Sequence, residues 1–540
     1  MGILKKSNKE SAEAALGKEI MKVRTSLTVK GIQLTALKVL PINPRPWYKT
    51  RHLTQLNLLL LVPLFASATI GFDGAMMNGL QTLPQWRAYF SHPESAILGA
   101  INAVYPIGKL IGLFPSTWLS DRYGRKRPMF VGFILLFIGT VVQGASQNIA
   151  MLIISRFLLG FGTAFLAQPS PILITELAYP TQRGKITSLY NTFYYFGAVL
   201  AAWSTYGTFR LHSTWSWRIP SIMQGAFPVI QFCFFFFIPE SPRWLVAKGR
   251  VEEGRSILVK YHAGGDEASS LVDYEIREME DNIRLEQLIN SQSSYLDLIR
   301  TPANRRRTFV AAILGFYTQW SGNSVISYYL TLVLNTIGIT SVSSQALING
   351  LLQIFNWFAA VVAGAMMVDR IGRRKLFLIS TGGMLASYII WTVLSSVFTT
   401  TLNQRVGNTV VVFIFIYYFF YDIAFTPLMP AYVVEIYQYT LRGRGVTAAY
   451  TVNYLALILG NFVNPLAMKA IGWHYYIVFC VLLTISFTLI WFFFPETKGH
   501  TLEEIAEIFD RPIGNGAEVD HVGNDQEKVG SHIEVPKRES

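Results

Sequence analysis

Three ionisable residues sit where charge is expensive: Asp73 in Gly71-Phe72-Asp73, Arg156 in Ser155-Arg156-Phe157, and Lys109, each inside a long apolar stretch. A charge within hydrocarbon costs about 3 kcal/mol unless it is paired or wetted, so each is a functional candidate by default. An acid and an Arg can form a pair whose strength depends on protonation, or a static salt bridge that only positions its helix. Lys109 can pair with Asp73 or snorkel towards the aqueous face. No nucleophile stands beside a base, no Cys or His cluster has metal-ligand spacing, and no Gly-rich loop could cradle phosphate. An enzyme, a metal and a cofactor are therefore not expected. Cys233 and Cys480 each lie in an apolar run and read as packing residues.

The elements that must hold these groups follow from composition. Of 540 residues, 51% are hydrophobic and only 15% charged, with a mean hydropathy of +0.34. Soluble domains carry about 25% charge, so the chain reads as an all-α membrane protein. Stretches long enough to cross occur near 56–78, 96–118, 129–147, 149–170, 186–207 and 219–238, and again near 309–334, 345–368, 376–398, 407–430, 445–467 and 474–494. Twelve transmembrane helices in two six-helix bundles are expected, with 1–55 as a cytoplasmic N-terminal segment, 56–238 and 307–494 as the bundles, 239–306 as a linker of short amphipathic cytoplasmic helices, and 495–540 as a cytoplasmic helix and disordered tail. The short loops at 119–128, 171–185, 369–375 and 431–445 hold about twelve Lys or Arg, against about five in the alternate loops. That places both termini in the cytoplasm. The net charge of +13 is thereby explained by topology, with no nucleic-acid partner.

The halves repeat each other in order. Asp121-Arg122-Tyr123-Gly124-Arg125-Lys126 recurs as Asp369-Arg370-Ile371-Gly372-Arg373-Arg374. Glu176 precedes Arg183-Gly184 by seven residues, and Glu435 precedes Arg442-Gly443 by the same seven. Pro239-Glu240-Ser241-Pro242-Arg243 recurs as Pro495-Glu496-Thr497-Lys498-Gly499. Such a repeat fits two helix bundles related by an axis along the membrane normal. Two rigid bundles that rock need breakable contacts on one side, and Arg-carboxylate forks suit that task. Asp121, Arg122, Arg125, Glu176, Arg183, Glu240, Arg243, Asp369, Arg370, Arg373, Glu435, Arg442 and Glu496 are the candidate conformational latch.

The D-R-x-G-R-[RK] pair, the two E-x6-R-G elements, PESPR and PETKG together resemble the sugar porter family of the major facilitator superfamily, from about 56 to 505. The resemblance implies an alternating-access carrier with the major facilitator fold. In proton-coupled members an acid follows Gly-Phe or Gly-Tyr in the first span and an Arg precedes Phe in the fourth. It therefore implies that Asp73 carries the proton and Arg156 couples it to substrate.

A sugar is a ring of hydroxyls on an apolar skeleton, so its site needs amides and aromatic plates. Thr318-Gln319-Trp320-Ser321-Gly322-Asn323-Ser324 is similar to the family's span-seven element, with the first Gln replaced and the Asn one position early. The resemblance implies a substrate site of Asn191, Gln319, Asn323, Ser324, Asn356, Asn453, Tyr454 and Asp422. Leu-Tyr-Asn-Thr-Phe and Gln-Trp-Ser-Gly-Asn are similar to variants in fungal lactose permease-like transporters. The expected function is proton symport of a disaccharide such as lactose or a related glycoside, with a hexose or pentose carrier or a proton-independent uniporter as the alternative. A non-transporting sugar receptor is disfavoured. The expected partners are sugar, protons and the bilayer, and the expected form is a monomer spanning the plasma membrane many times. Phe232 to Phe237 reads as lipid-facing bulk.

Overall fold

The computed structural model describes residues 46–498 except 293, 367, 439 and 440, together with 505, 508 and 509; the side chains of 188, 288–292, 362–366, 368 and 369 are left out. The expected terminal tails, most of Thr501-Leu-Glu-Glu-Ile-Ala-Glu-Ile-Phe509 and the Asp369 side chain lie outside the described residues.

The described chain is helical. A first set comprises α1 (Arg51–Leu80), α2 (Ser95–Tyr123), α3 (Lys126–Gly144), α4 (Ile149–Ala167), α5 (Pro169–Leu177), α6 (Arg183–Thr208), α7 (Trp215–Met223) and α8 (Ala226–Phe235). A linker carries α9 (Pro242–Ala247), α10 (Val251–Tyr261) and α11 (Ser270–Gln292). The second set comprises α12 (Pro302–Trp320), α13 (Asn323–Thr336), α14 (Val342–Met366), α15 (Arg373–Thr401), α16 (Gln404–Ile436), α17 (Arg442–Ile471) and α18 (Tyr475–Phe493). Among the described residues, seven helical segments are long and apolar enough to cross a membrane. The expected continuous stretch at 219–238 is broken between α7 and α8.

Buried apolar residues of the second set form one cluster, and those of the first set form two, one of which also takes in Tyr329 of α13. Backbone contact brings α1 against α6. A Cβ on Gly71 would lie 1.8 Å from the Tyr194 carbonyl oxygen, and one on Gly197 would lie 1.9 Å from that of Ala68. Only glycine permits this approach, and it sets Asp73 beside the tyrosines of α6. Between α12 and α13 the chain turns at Gly322 with φ +102°, where a Cβ would meet the Tyr388 hydroxyl. Tyr329 departs from helical geometry at φ −138°, ψ 28°.

In the linker, His262 lies between the Glu275 carboxylate at 2.8 Å and the Leu177 carbonyl at 3.1 Å, fastening α10 and α11 to the end of α5. The aromatic run is only partly peripheral. Phe234, Phe236 and Phe237 are exposed, but Phe235 is buried against Phe133, because helical periodicity turns one residue in four inward. Cys233 is exposed, contrary to its expected packing role, and Cys480 is half-buried beside Thr392.

Candidate functional site

Between the two helix sets lies a cavity of about 370 Å³, within the usual size for small-molecule sites. Asn191 of α6, Gln319 of α12, Asn323 of α13, Asn356 of α14, and Asn453 and Tyr454 of α17 all line it. The turn at Gly322 brings Gln319 and Asn323, one on each side of the break, onto one wall. Gln319 donates to the Asn453 Oδ1 at 3.4 Å, and Asn453 in turn donates to the Gly315 carbonyl at 3.1 Å. Asn323 accepts from the Ser327 hydroxyl at 2.9 Å. The buried Asn356 Oδ1 has no hydrogen-bond partner, leaving an acceptor for a bound hydroxyl.

Two expected ligands do not line the cavity. Ser324 is buried and donates to the Gln319 carbonyl while accepting from Asn464, because α13 begins at Asn323 and turns the next residue away. Asp422 is buried behind the wall, its Oδ1 accepting from Tyr195 at 2.6 Å and Thr426 at 2.9 Å. The Tyr195 bond joins α6 to α16 across the two sets.

Asp73 and Arg156 also lie outside the lining, and they form no ion pair in this structure. Tyr105 of α2 stands at the cavity wall and serves both. Its hydroxyl donates to Asp73 Oδ2 at 3.2 Å, and the Arg156 guanidinium lies 4.8 Å from its ring centroid. Thr163 also donates to Asp73, at 3.3 Å. The three guanidinium nitrogens of Arg156 are buried without a hydrogen-bond partner. Lys109, one helical turn after Tyr105, lines the cavity with its Nζ 5.6 Å from the Tyr454 ring centroid. Tyr105 was not among the sequence candidates, although its i, i+4 spacing from Lys109 marks a shared helix face. Tyr195 had no comparable signal, since its partner is 227 residues away.

The latch candidates form two matching clusters. Glu240 accepts from the backbone N–H groups of Arg125 (2.9 Å), Lys126 (3.2 Å) and Ser241 (2.9 Å). The Arg125 side chain meets Glu176 and Asp121. Burial opposes the charge of Arg125, but these carboxylates outweigh it and raise its pKa. Likewise Glu496 accepts from the N–H groups of Arg373 (2.8 Å) and Arg374 (3.1 Å), while Arg373 meets Glu435. Each of these contacts stays within its own helix set, rather than bridging the two as expected. Each Pro-Glu segment directly follows its set and caps the N-terminus of a helix in that set. Arg243 instead pairs with Glu286 in the linker, and Arg122 lies over Trp118 and Tyr123. Arg183 and Arg442 open α6 and α17, and Arg370 is exposed.

Apart from those of Tyr195 at the cavity, the hydrogen bonds described here that cross the sets lie at the opposite end. Asn78 of α1 donates to the Ile326 carbonyl (3.3 Å) and to Asn349 (3.4 Å), and accepts from the Leu330 N–H (3.1 Å). Gln81 donates to the Tyr328 carbonyl at 3.1 Å, and Lys469 stands 3.9 Å from Glu94.

Residues 59–509 match the family model described as "Sugar (and other) transporter". Hexose transporter 2 of Kluyveromyces lactis is 28% identical, covering 88% of this chain and 85% of its own length. The MFS-type transporter oryC of Aspergillus oryzae is 28% identical over 77% of this chain and 78% of its own. Among solved structures, the inward open conformation of the xylose transporter XylE from E. coli superposes with a TM-score of 0.70 at 22% identity, covering 84% of this chain and 99% of that one. The fold is thus that of the XylE structure. The expected likeness to lactose permeases is not what these relatives' names carry; theirs are hexose and MFS-type transporters.

Proposed function

From the premise that the chain belongs to the sugar (and other) transporter family, we propose that it is a proton-coupled symporter for a hexose or hexose-containing glycoside. In this reading twelve helices cross the plasma membrane in two six-helix bundles, both termini face the cytoplasm, and a single chain suffices because it holds the whole cavity. Alternating access then means that the bonds of Asn78 and Gln81 close the outer end while the cavity communicates with the cytoplasm.

The observation that carries the reading is Tyr105, which lines the cavity on one side and bonds Asp73 on the other. A proton arriving at Asp73 removes the negative charge that attracts Arg156. The carboxyl group gains an O–H donor while it keeps acceptor capacity, so its bond from the Tyr105 hydroxyl weakens from a charge-assisted to a neutral one. Sugar in the cavity senses that change through the same hydroxyl. Proton and sugar thereby bias one equilibrium between bundle arrangements, which is what coupling requires. The amides of Asn191, Gln319, Asn323, Asn356 and Asn453 supply paired donors and acceptors for hydroxyls, and Tyr454 supplies an apolar plate. The test is uptake of labelled glucose, galactose and lactose into cells lacking their own sugar carriers, recorded with alkalinisation of a weakly buffered medium. Sugar entry without proton movement would leave a uniporter.

A further inference from the structure

Lys109 stands at the middle of α2, fourteen residues from Ser95 and from Tyr123, so about 21 Å of helix separates it from either end. Its four-methylene stem cannot reach water at a membrane face from there. Its Nζ makes no ion pair among the described residues; it stands over the ring of Tyr454 on the adjacent helix α17 of the second set. Among the described residues lining the cavity, Lys109 is the sole charged side chain.

The neighbouring charges do not neutralise it. On the α1, α2 and α4 side, two cations, Lys109 and Arg156, share one carboxylate, Asp73, which is already bonded by Tyr105 and Thr163. The buried carboxylate nearest the cavity on the other side, Asp422, accepts at Oδ1 from Tyr195 and Thr426. The wall beside Lys109 therefore carries a positive excess, and a sugar's neutral hydroxyls do not use it. An ammonium in a confined site is satisfied best by an anionic acceptor.

We infer that Lys109 is a substrate-binding residue that selects a sugar bearing a carboxylate, of the uronic or aldonic acid class. The inference rests on the sugar-transport reading and narrows its substrate. Lys109 follows Tyr105 by one helical turn, so the carboxylate sits close to the Asp73 proton site. Protonating Asp73 increases the positive excess, and the anion is held more tightly when the proton is aboard. By linkage the anion favours the proton equally.

The test uses the purified full chain in proteoliposomes at pH 6, where a uronate is ionised. It compares labelled D-galacturonate with D-galactose, and D-glucuronate with D-glucose, for wild type, Lys109→Arg and Lys109→Met. The expected result is a preference for the uronate of about tenfold or more, the usual worth of a hydrogen bond to a charged group. Lys109→Arg keeps the preference and Lys109→Met abolishes it. Wild type that carries the hexoses and refuses the uronates overturns this inference and leaves the sugar-transport reading standing. An undiminished uronate preference in Lys109→Met overturns the role of Lys109. Absence of uptake together with absence of binding, read by tryptophan fluorescence, for all four compounds overturns both.

Discussion

Replacing Asn78 with Ala removes the three hydrogen bonds that tie α1 to α13 and α14 at the proposed outer end. A net hydrogen bond contributes about 0.5–1.5 kcal/mol. Two of the three are long, at 3.3 and 3.4 Å, so the low end applies and the sum is about 1.5–2 kcal/mol. The bonds exist only while the outer end is closed, so their loss shifts the equilibrium towards outward opening by roughly ten- to thirtyfold. Spin labels at Glu94→Cys and Lys469→Cys, in a background where Cys233 and Cys480 are Ser, report the separation by pulsed electron paramagnetic resonance. That surface ion pair is exposed, and its own loss costs little. The parent should give one short distance, and Asn78→Ala should add a longer component. An unchanged distribution would refute the claim that Asn78 holds the outer end shut.

Other substitutions probe separate parts of the account. Tyr105→Phe keeps the ring beneath Arg156 but removes the donor to Asp73, and should lower proton-driven accumulation more than sugar exchange, measured side by side in proteoliposomes. Gln319→Ala should raise the half-saturation concentration for sugar about tenfold, read from uptake at varied sugar concentration; an unchanged value would place this amide outside the binding step. Glu240→Ala strips the acceptor from three backbone N–H groups and should destabilise the protein by about 1–3 kcal/mol, seen as a lower unfolding temperature in detergent. Gly71→Ala drives a methyl group into the Tyr194 carbonyl and should cost about 1–3 kcal/mol, with the same readout.

Helix positions were legible because apolar length is a local signal. The repeated charged motifs were legible as sites, and Glu240 and Glu496 make corresponding backbone contacts in the two halves. Their partners were not legible: a motif gives residue types, whereas the direction of a carboxylate depends on the chain end it caps. The family resemblance pointed to the amides that line the cavity, yet Ser324 was misplaced because the turn at Gly322 fixes which face of α13 looks inward. Asp422 was misplaced because the side chains of Tyr195, from the other half of the chain, and Thr426 line the cavity in its place and bond its carboxylate. The Asn78 contacts involve backbone groups around the Tyr329 kink, which no hydropathy pattern encodes.

The central claim is that Asp73 carries the coupled proton, and Asp73→Asn in proteoliposomes tests it most directly. The substitution fixes the site in a neutral form close to that of the protonated acid. The account predicts that the variant still exchanges labelled for unlabelled sugar across the membrane but neither concentrates sugar under an imposed proton gradient nor alkalinises the outer medium. A variant that still concentrates sugar against its gradient, with proton uptake, would contradict it.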